Sequence, residues 1–423
     1  MRKLFCLISV ILLLITTLSF SSCTSSDKNA ATDDAMSDYQ GEVNVYNWGE
    51  YISNGDDDTL DVIAEFEKEY DIKVNYTNFE TNEEMYNILS NSNSTYDVII
   101  PSDYMIARLI EENMLEEIDY SNIPNYKNIL DNFKTSDYDP QGKYSVAYAW
   151  GYVAMVYNTT MIEKGSIDSF SALWDKKYKD KILMFNNSRD ATAIAMQVCD
   201  PAIDPGSKNF SIEDIDRATN KLIEQKSILK KYVMDQVFTE MEGNQAAIAP
   251  YYAGDIYTMM QNNPDLDYCK PKEGSNLFVD AMCIPTCCKN KENAELFINF
   301  MCRPDIAAAN AEYIGYATPN SAAYDLLDDD IKNSELVYPS QEYMDKCYTF
   351  SNIDDEIYSY MQEKFVKACS SSAEISELET KHTSNSAKIT VLVILCVIII
   401  ATIIVIIYDI RRAIKNKNRI NKI

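Results

Sequence analysis

The chain has 423 residues, a formal net charge of −27 and a single histidine. Such acidity repels nucleic acid and anionic lipid and draws in cations. The lone histidine, His382, lies near the C terminus, so the central region has no imidazole for acid–base chemistry.

Residues 1–22 have signal anatomy: Arg2 and Lys3, an apolar run from Leu4 to Leu18, then small polar residues. The run ends in Ser21-Ser22-Cys23 and resembles a bacterial lipoprotein signal with Cys23 as the lipidated residue, although Phe20 stands where an aliphatic is usual. A polar linker, 23–41, follows. At the other end, residues 370–388 form a Ser/Glu-rich stalk, and 389–408 are uncharged and long enough to cross a bilayer as a helix. The tail 409–423 carries Arg411, Arg412, Lys415, Lys417, Arg419 and Lys422 against Asp409. By the positive-inside rule the tail is cytoplasmic and the domain before the span lies outside. About 330 residues between these ends exceed one usual core, so two lobes are expected.

The elements then run in order. Val43–Tyr46 reads as a strand, and Asn47-Trp48-Gly49-Glu50-Tyr51 follows it, two aromatics flanking a carboxylate beside a glycine. Aromatic faces attract an organic ammonium ion, and a carboxylate takes its N–H donors. Thr59–Tyr70 is an amphipathic helix, Ile72–Tyr76 a strand, and Thr81-Asn-Glu-Glu84 a capping box opening a helix to Ser90. Tyr96–Ile100 is a buried strand, and Pro101-Ser102-Asp103 caps a helix to Asn113. This alternation predicts an α/β fold with a mainly parallel sheet and a ligand at the carboxyl ends of its strands.

Trp150-Gly151 follows a strand-like run and reads as the crossing into the second lobe. Lys181–Phe185 is a strand leading through Asn186–Asp190 into a helix; Ala246–Tyr252 is another, ending in Ala253-Gly254-Asp255. Asn276–Pro285 holds Asp280 inside an apolar run, where a buried acid is costly unless paired. Lobe 1 is then 42–151 with 280–324, and lobe 2 is 152–279 with 325–369.

Eight cysteines lie between the ends: Cys199, Cys269, Cys283, Cys287, Cys288, Cys302, Cys347 and Cys369. Outside the cell they allow disulfides of undetermined connectivity, and no Cys-x-x-Cys knuckle marks a metal site. Nothing calls for a cofactor. Paired acids also suit a glycosidase, but the missing histidine, and the absence of a Gly-x-Ser-x-Gly or phosphate loop, argue against an enzyme.

Taken together, these segments resemble the spermidine/putrescine-binding proteins of polyamine ABC importers. The resemblance rests on Asn47-Trp-x-Glu-Tyr51, Glu80–Tyr86, Tyr96–Ser102, Lys289–Glu292, Ile298–Phe300, Arg303–Asp305 and Ile314–Asn320, and spans roughly residues 42 to 370. It implies a type II periplasmic-binding-protein fold, two α/β lobes closing on a hinge over the ligand, with permease subunits as partners. Trp48 and Tyr51 would be aromatic walls and Glu50 an ammonium partner. Ser102 and Tyr104 would line the same lobe's side. Asp280 and Asp190 would be acids of the cleft and Tyr316 a further ring. Tyr252 and Phe278 stand where the spermidine binder has tryptophans, and Asn187 where it has an aspartate. Asp103 reads as a helix cap and Asp255 as a loop acid, either of which could add charge. A membrane-anchored sensor of amines or another small cation, built on the same fold, is the alternative.

Overall fold

The structure is a computed structural model and describes residues 40–91 and 93–371. The signal, Cys23, most of the linker, the stalk from residue 372, the apolar segment 389–408 and the basic tail lie outside the described residues. Within the described residues no helix is long and apolar enough to cross a membrane.

Strand β1 (Gly41–Trp48) buries Val43 and Val45 and pairs in parallel with β2 (Ile72–Phe79), from Gly41↔Ile72 to Trp48↔Phe79. The connecting helix α1 (Val62–Tyr70) starts where the Asp61 carboxylate accepts the Ala64 N–H and turns Val62 and Phe66 inward. Helix α2 (Asn82–Leu89) opens with the Thr81 hydroxyl accepting the Glu84 N–H at 3.1 Å. The Glu84 carboxylate reaches back to the Glu80 N–H at 2.9 Å, one residue before the position a capping box uses.

Strand β3 (Val98–Ile99) lies on the other side of β1 and is shorter than the predicted Tyr96–Ile100. The Asp97 carboxylate explains the difference, because it takes the N–H groups of Asn44, Lys289 and Asn290, at 2.8–2.9 Å, where a ladder would otherwise begin. Helix α3 (Asp103–Glu111) follows Pro101. Ser102 occupies its cap position without a side-chain cap bond.

Strand β4 (Ser145–Asn158) runs unbroken through both halves of the molecule. Its first part pairs antiparallel with β9 (Leu277–Cys283), from Ser145 to Tyr152. Its second part pairs antiparallel with β7 (Ile248–Tyr252) and β8 (Leu266–Cys269). Beyond β7, the strands β5 (Ile182–Phe185) and β6 (Leu229–Val233) run parallel to each other. Helix α4 (Ser188–Cys199) leaves β5, α5 (Ile212–Gln225) precedes β6, α6 (Gln236–Glu242) precedes β7, and α7 (Ala253–Asn262) follows β7. The sheet order is β2-β1-β3-β9-β4-β7-β5-β6. The expected mainly parallel sheet is therefore mixed: each wing is parallel, and the centre is antiparallel because β4 and β9 pass between the wings in opposite directions.

The two largest hydrophobic clusters lie one in each lobe. In one, Phe66 packs edge-on against Phe297 and Phe300 at 5.2 and 5.3 Å, beneath Val43, Val45 and Val98. In the other, Val153–Tyr157 and β5 pack under α4 and α5 and against Met361 and Phe365 of the helix Asp355–Ser370. Each such side chain contributes about 1.5–3 kcal/mol on burial. All eight cysteines of the described residues are free thiols, and those residues contain no cluster suited to a metal.

Candidate functional site

A cleft opens where the two wings face each other. The end of β1 contributes Trp48 and Tyr51, the start of α3 contributes Ser102 and Tyr104, and β9 contributes Phe278 and Asp280. The opposite wing contributes Asn187 and Asp190 at the start of α4, and Tyr252 at the end of β7. Tyr316, after a left-handed Gly315, completes this group.

Tyrosine–aspartate pairs line it, and two of them hold one acid from each wing. On one side the Tyr51 hydroxyl donates to Asp280 Oδ2 at 2.7 Å. On the other the Tyr252 hydroxyl donates to Asp190 Oδ2 at 3.0 Å, and Asn187 Nδ2 donates to the same oxygen at 2.6 Å. Asn187 also caps α4, its Oδ1 accepting the Asp190 N–H at 3.0 Å. In each pair the second carboxylate oxygen, Asp280 Oδ1 and Asp190 Oδ1, is buried without a hydrogen-bond partner. Orphaned buried acceptors of this kind are rare and costly.

Burial also sets the ionisation of these acids. It pushes Asp280 up to about 6, against the bonds from Ser102 and Tyr51 that favour the anion. Burial likewise raises Asp190 to about 6, opposed by Tyr252 and Asn187. Asp103 rises to about 8 through burial, with the neighbouring Asp280 charge adding to it. The cleft is short of positive charge.

The aromatic walls are continuous. Tyr51 meets Tyr316 edge-on at 4.8 Å, and Tyr252 meets Phe278 at 5.4 Å. Trp48 packs on Phe79 at 4.5 Å, and Tyr104 donates its hydroxyl to Glu83 at 2.9 Å. Beyond Tyr104 and Phe350 the guanidinium of Arg189 lies 5.0 and 4.4 Å from the two rings.

Glu50 is not brought into the cleft. The chain leaves β1 at Trp48; Glu50 takes a left-handed conformation (φ 48°) and is exposed, whereas Tyr51 is buried. It lines an outer crevice with Glu242 and Glu312, and Asp235 borders both that crevice and the cleft.

Asp255 is not a loop acid: it sits in the first turn of α7, is buried, and accepts the Tyr316 hydroxyl at 2.9 Å. Burial raises its pKa well above the ordinary value. Asp103 does not cap α3 from outside; it is the first helical residue, its Oδ1 accepts the Tyr104 N–H, and it lines the cleft. Asn82, Tyr251, Asn276 and Phe350 line the cleft unanticipated. Strand alternation back from Asp280 and Phe278 would have found Asn276. No sequence signal marks Phe350, which arrives from a distant loop.

Chemically, the arrangement offers acceptors and ring faces to a cation.

Comparison with known proteins agrees in fold. A family model described as bacterial extracellular solute-binding protein matches residues 61–339. The spermidine/putrescine-binding periplasmic protein of Escherichia coli is 30% identical over 309 residues, covering 73% of this chain and 86% of that protein. A putrescine-binding periplasmic protein of the same organism is 24% identical over 336 residues, covering 75% of this chain and 88% of that protein. A Listeria monocytogenes structure assigned to a spermidine/putrescine ABC transporter is 34% identical with a TM-score of 0.73, over 77% of this chain and 98% of its own. The substrate-binding protein of a spermidine/putrescine ABC transporter from Streptococcus pneumoniae is 33% identical with a TM-score of 0.64, over 78% and 98%. The chain belongs to the bacterial extracellular solute-binding proteins, a family that binds solutes for transport and does not catalyse reactions.

Proposed function

We propose that this protein binds a linear polyamine, spermidine or putrescine, between its lobes and delivers it to the permease of an ABC importer. The observation that carries this reading is the pair of unpartnered carboxylate oxygens, Asp280 Oδ1 and Asp190 Oδ1, on opposite sides of one aromatic cleft. A protonated amine supplies the N–H donors and positive charge that both lack. Its methylenes lie between rings, and the faces of Trp48, Tyr252 and Phe278 favour the ammonium groups. The names of the relatives support the same ligand class.

Because the groups come from both lobes, a bridging ligand favours the closed state. In our reading the lobes are residues 42–151 with 280–324 and 152–279 with 325–369. Asn187 carries no charge on the far wall, yet together with Tyr252 it holds Asp190 in place. We further assign Cys23 as a lipid anchor and 389–408 as a membrane span, holding the binding domain outside the cell near its permease.

A thermal-shift panel of amines, amino acids and sugars tests the ligand class. Stabilisation by spermidine or putrescine alone is expected; stabilisation by a sugar or an amino acid but neither amine would refute it.

A further inference from the structure

The strand β9 presents alternate residues to opposite sides. Leu277 and Val279 line a groove behind the sheet, whereas Asn276, Phe278 and Asp280 line the cleft, with the Phe278 ring bordering both. This is the period of two expected of a strand. Asn276 extends the ladder by one residue beyond β9, since its carbonyl accepts the Val153 N–H at 3.0 Å.

Its side chain is unexplained by the fold. Asn276 is only 6% exposed, and its amide oxygen is buried without a partner. Asn276 lines the cleft, so the unpartnered oxygen belongs to a residue that a ligand there would meet. A buried amide kept unsatisfied in a ligand cleft marks a contact that the ligand completes.

We propose that Asn276 is a further ligand contact and that it sets the length of amine the cleft prefers. This rests on the polyamine reading above. Asn276, Phe278 and Asp280 form a rail of three stations: a neutral acceptor, an aromatic face and a carboxylate. At the rise of a strand, the outer stations are about 13 Å apart between backbones. A diamine of four carbons anchored at Asp280 covers the Phe278 ring and ends short of Asn276. A linear triamine anchored at the same carboxylate reaches it and donates an N–H to the amide oxygen. The carboxylate secures one charged end, and the neutral amide reads whether a further nitrogen is present.

The test is a pair of titrations, spermidine and putrescine, against the full-length protein and its Asn276→Leu and Asn276→Asp variants, with melting curves as a check on folding. Asn276→Leu should weaken spermidine by about tenfold or more, the loss of a bond to a charged donor, while putrescine changes by less than about threefold. Asn276→Asp should shift preference further toward spermidine, and it decides the matter if the leucine variant does not fold. Equal effects on both amines, or none on either, would overturn the role of Asn276 while leaving polyamine binding intact. Failure of the unmodified protein to bind either amine would overturn the polyamine reading itself, and the length rule with it.

Discussion

The Tyr51 hydroxyl donates to Asp280 Oδ2 across 2.7 Å, joining the end of β1 to the middle of β9, which is 229 residues away in sequence. The bond fixes one carboxylate oxygen and leaves Oδ1 without a partner.

Asp280→Asn should therefore separate binding from folding. The amide keeps the shape and can still meet Tyr51, but it offers no charge to an ammonium. Amine affinity should drop by about tenfold or more, which corresponds to about 1.4 kcal/mol. The ligand-free protein should melt no lower at neutral pH, because a buried acid lacking a counter-charge is removed. A titration and a melting curve of the variant check both halves.

The pH dependence follows from the same acids. Burial raises Asp280 and Asp190 to about 6 and Asp103 to about 8, from an ordinary carboxyl value of 3.8. Each proton is thus held more tightly in the folded than in the unfolded chain. The contribution of these acids to the stability of the ligand-free protein should fall between pH 4 and 6 as pH rises, with Asp103 extending the loss toward pH 8. A bound dication favours the ionised forms, so affinity should climb from pH 5 to 8 and binding should release protons. Calorimetry in buffers of different ionisation heat counts those protons; flat affinity and no release would contradict the assignment.

Tyr252 tests how the altered far wall works. Tyr252→Phe keeps the ring but removes its 3.0 Å bond to Asp190, leaving Asn187 as that oxygen's remaining partner. Affinity should fall by about tenfold. Tyr252→Trp enlarges the ring and also loses the hydroxyl, so it should bind more weakly than the native protein. Tighter binding by the tryptophan variant would show that ring area outweighs the orientation of Asp190.

Gly254 lies beneath the Tyr316 ring so closely that a Cβ there would run into it. Gly254→Ala should displace the ring from its 2.9 Å bond to Asp255 and its edge contact with Tyr51. Overpacking of this kind costs about 1–3 kcal/mol. The variant should melt lower and bind amine more weakly, as melting and titration of one preparation would show.

How far the sequence revealed this site depended on whether local pattern or distant packing placed each residue. Trp48, Tyr51 and Asp280 were legible because strand ends and a buried strand acid leave a signature in the adjacent residues. Glu50 misled because the position after β1 takes a left-handed conformation and is exposed, outside the cleft lining, which no local pattern announces. Asp255 read as a loop acid because Ala253-Gly254 suggests a turn, whereas the chain enters α7 directly. The sheet was expected to be mainly parallel because β–α alternation in each wing says so; the opposed directions of β4 and β9 are set by pairing across more than 120 residues, which no local window reports.

The central claim is that acids from two lobes clamp one amine. Calorimetric titration of the full-length protein with spermidine and putrescine, repeated on an Asp190→Asn/Asp280→Asn double variant, tests it most directly. The account predicts saturable binding of one amine per chain in the native protein and its loss in the double variant, which still folds. Native protein that gives no heat with either amine, or a double variant that binds them as well as the native protein does, would contradict it.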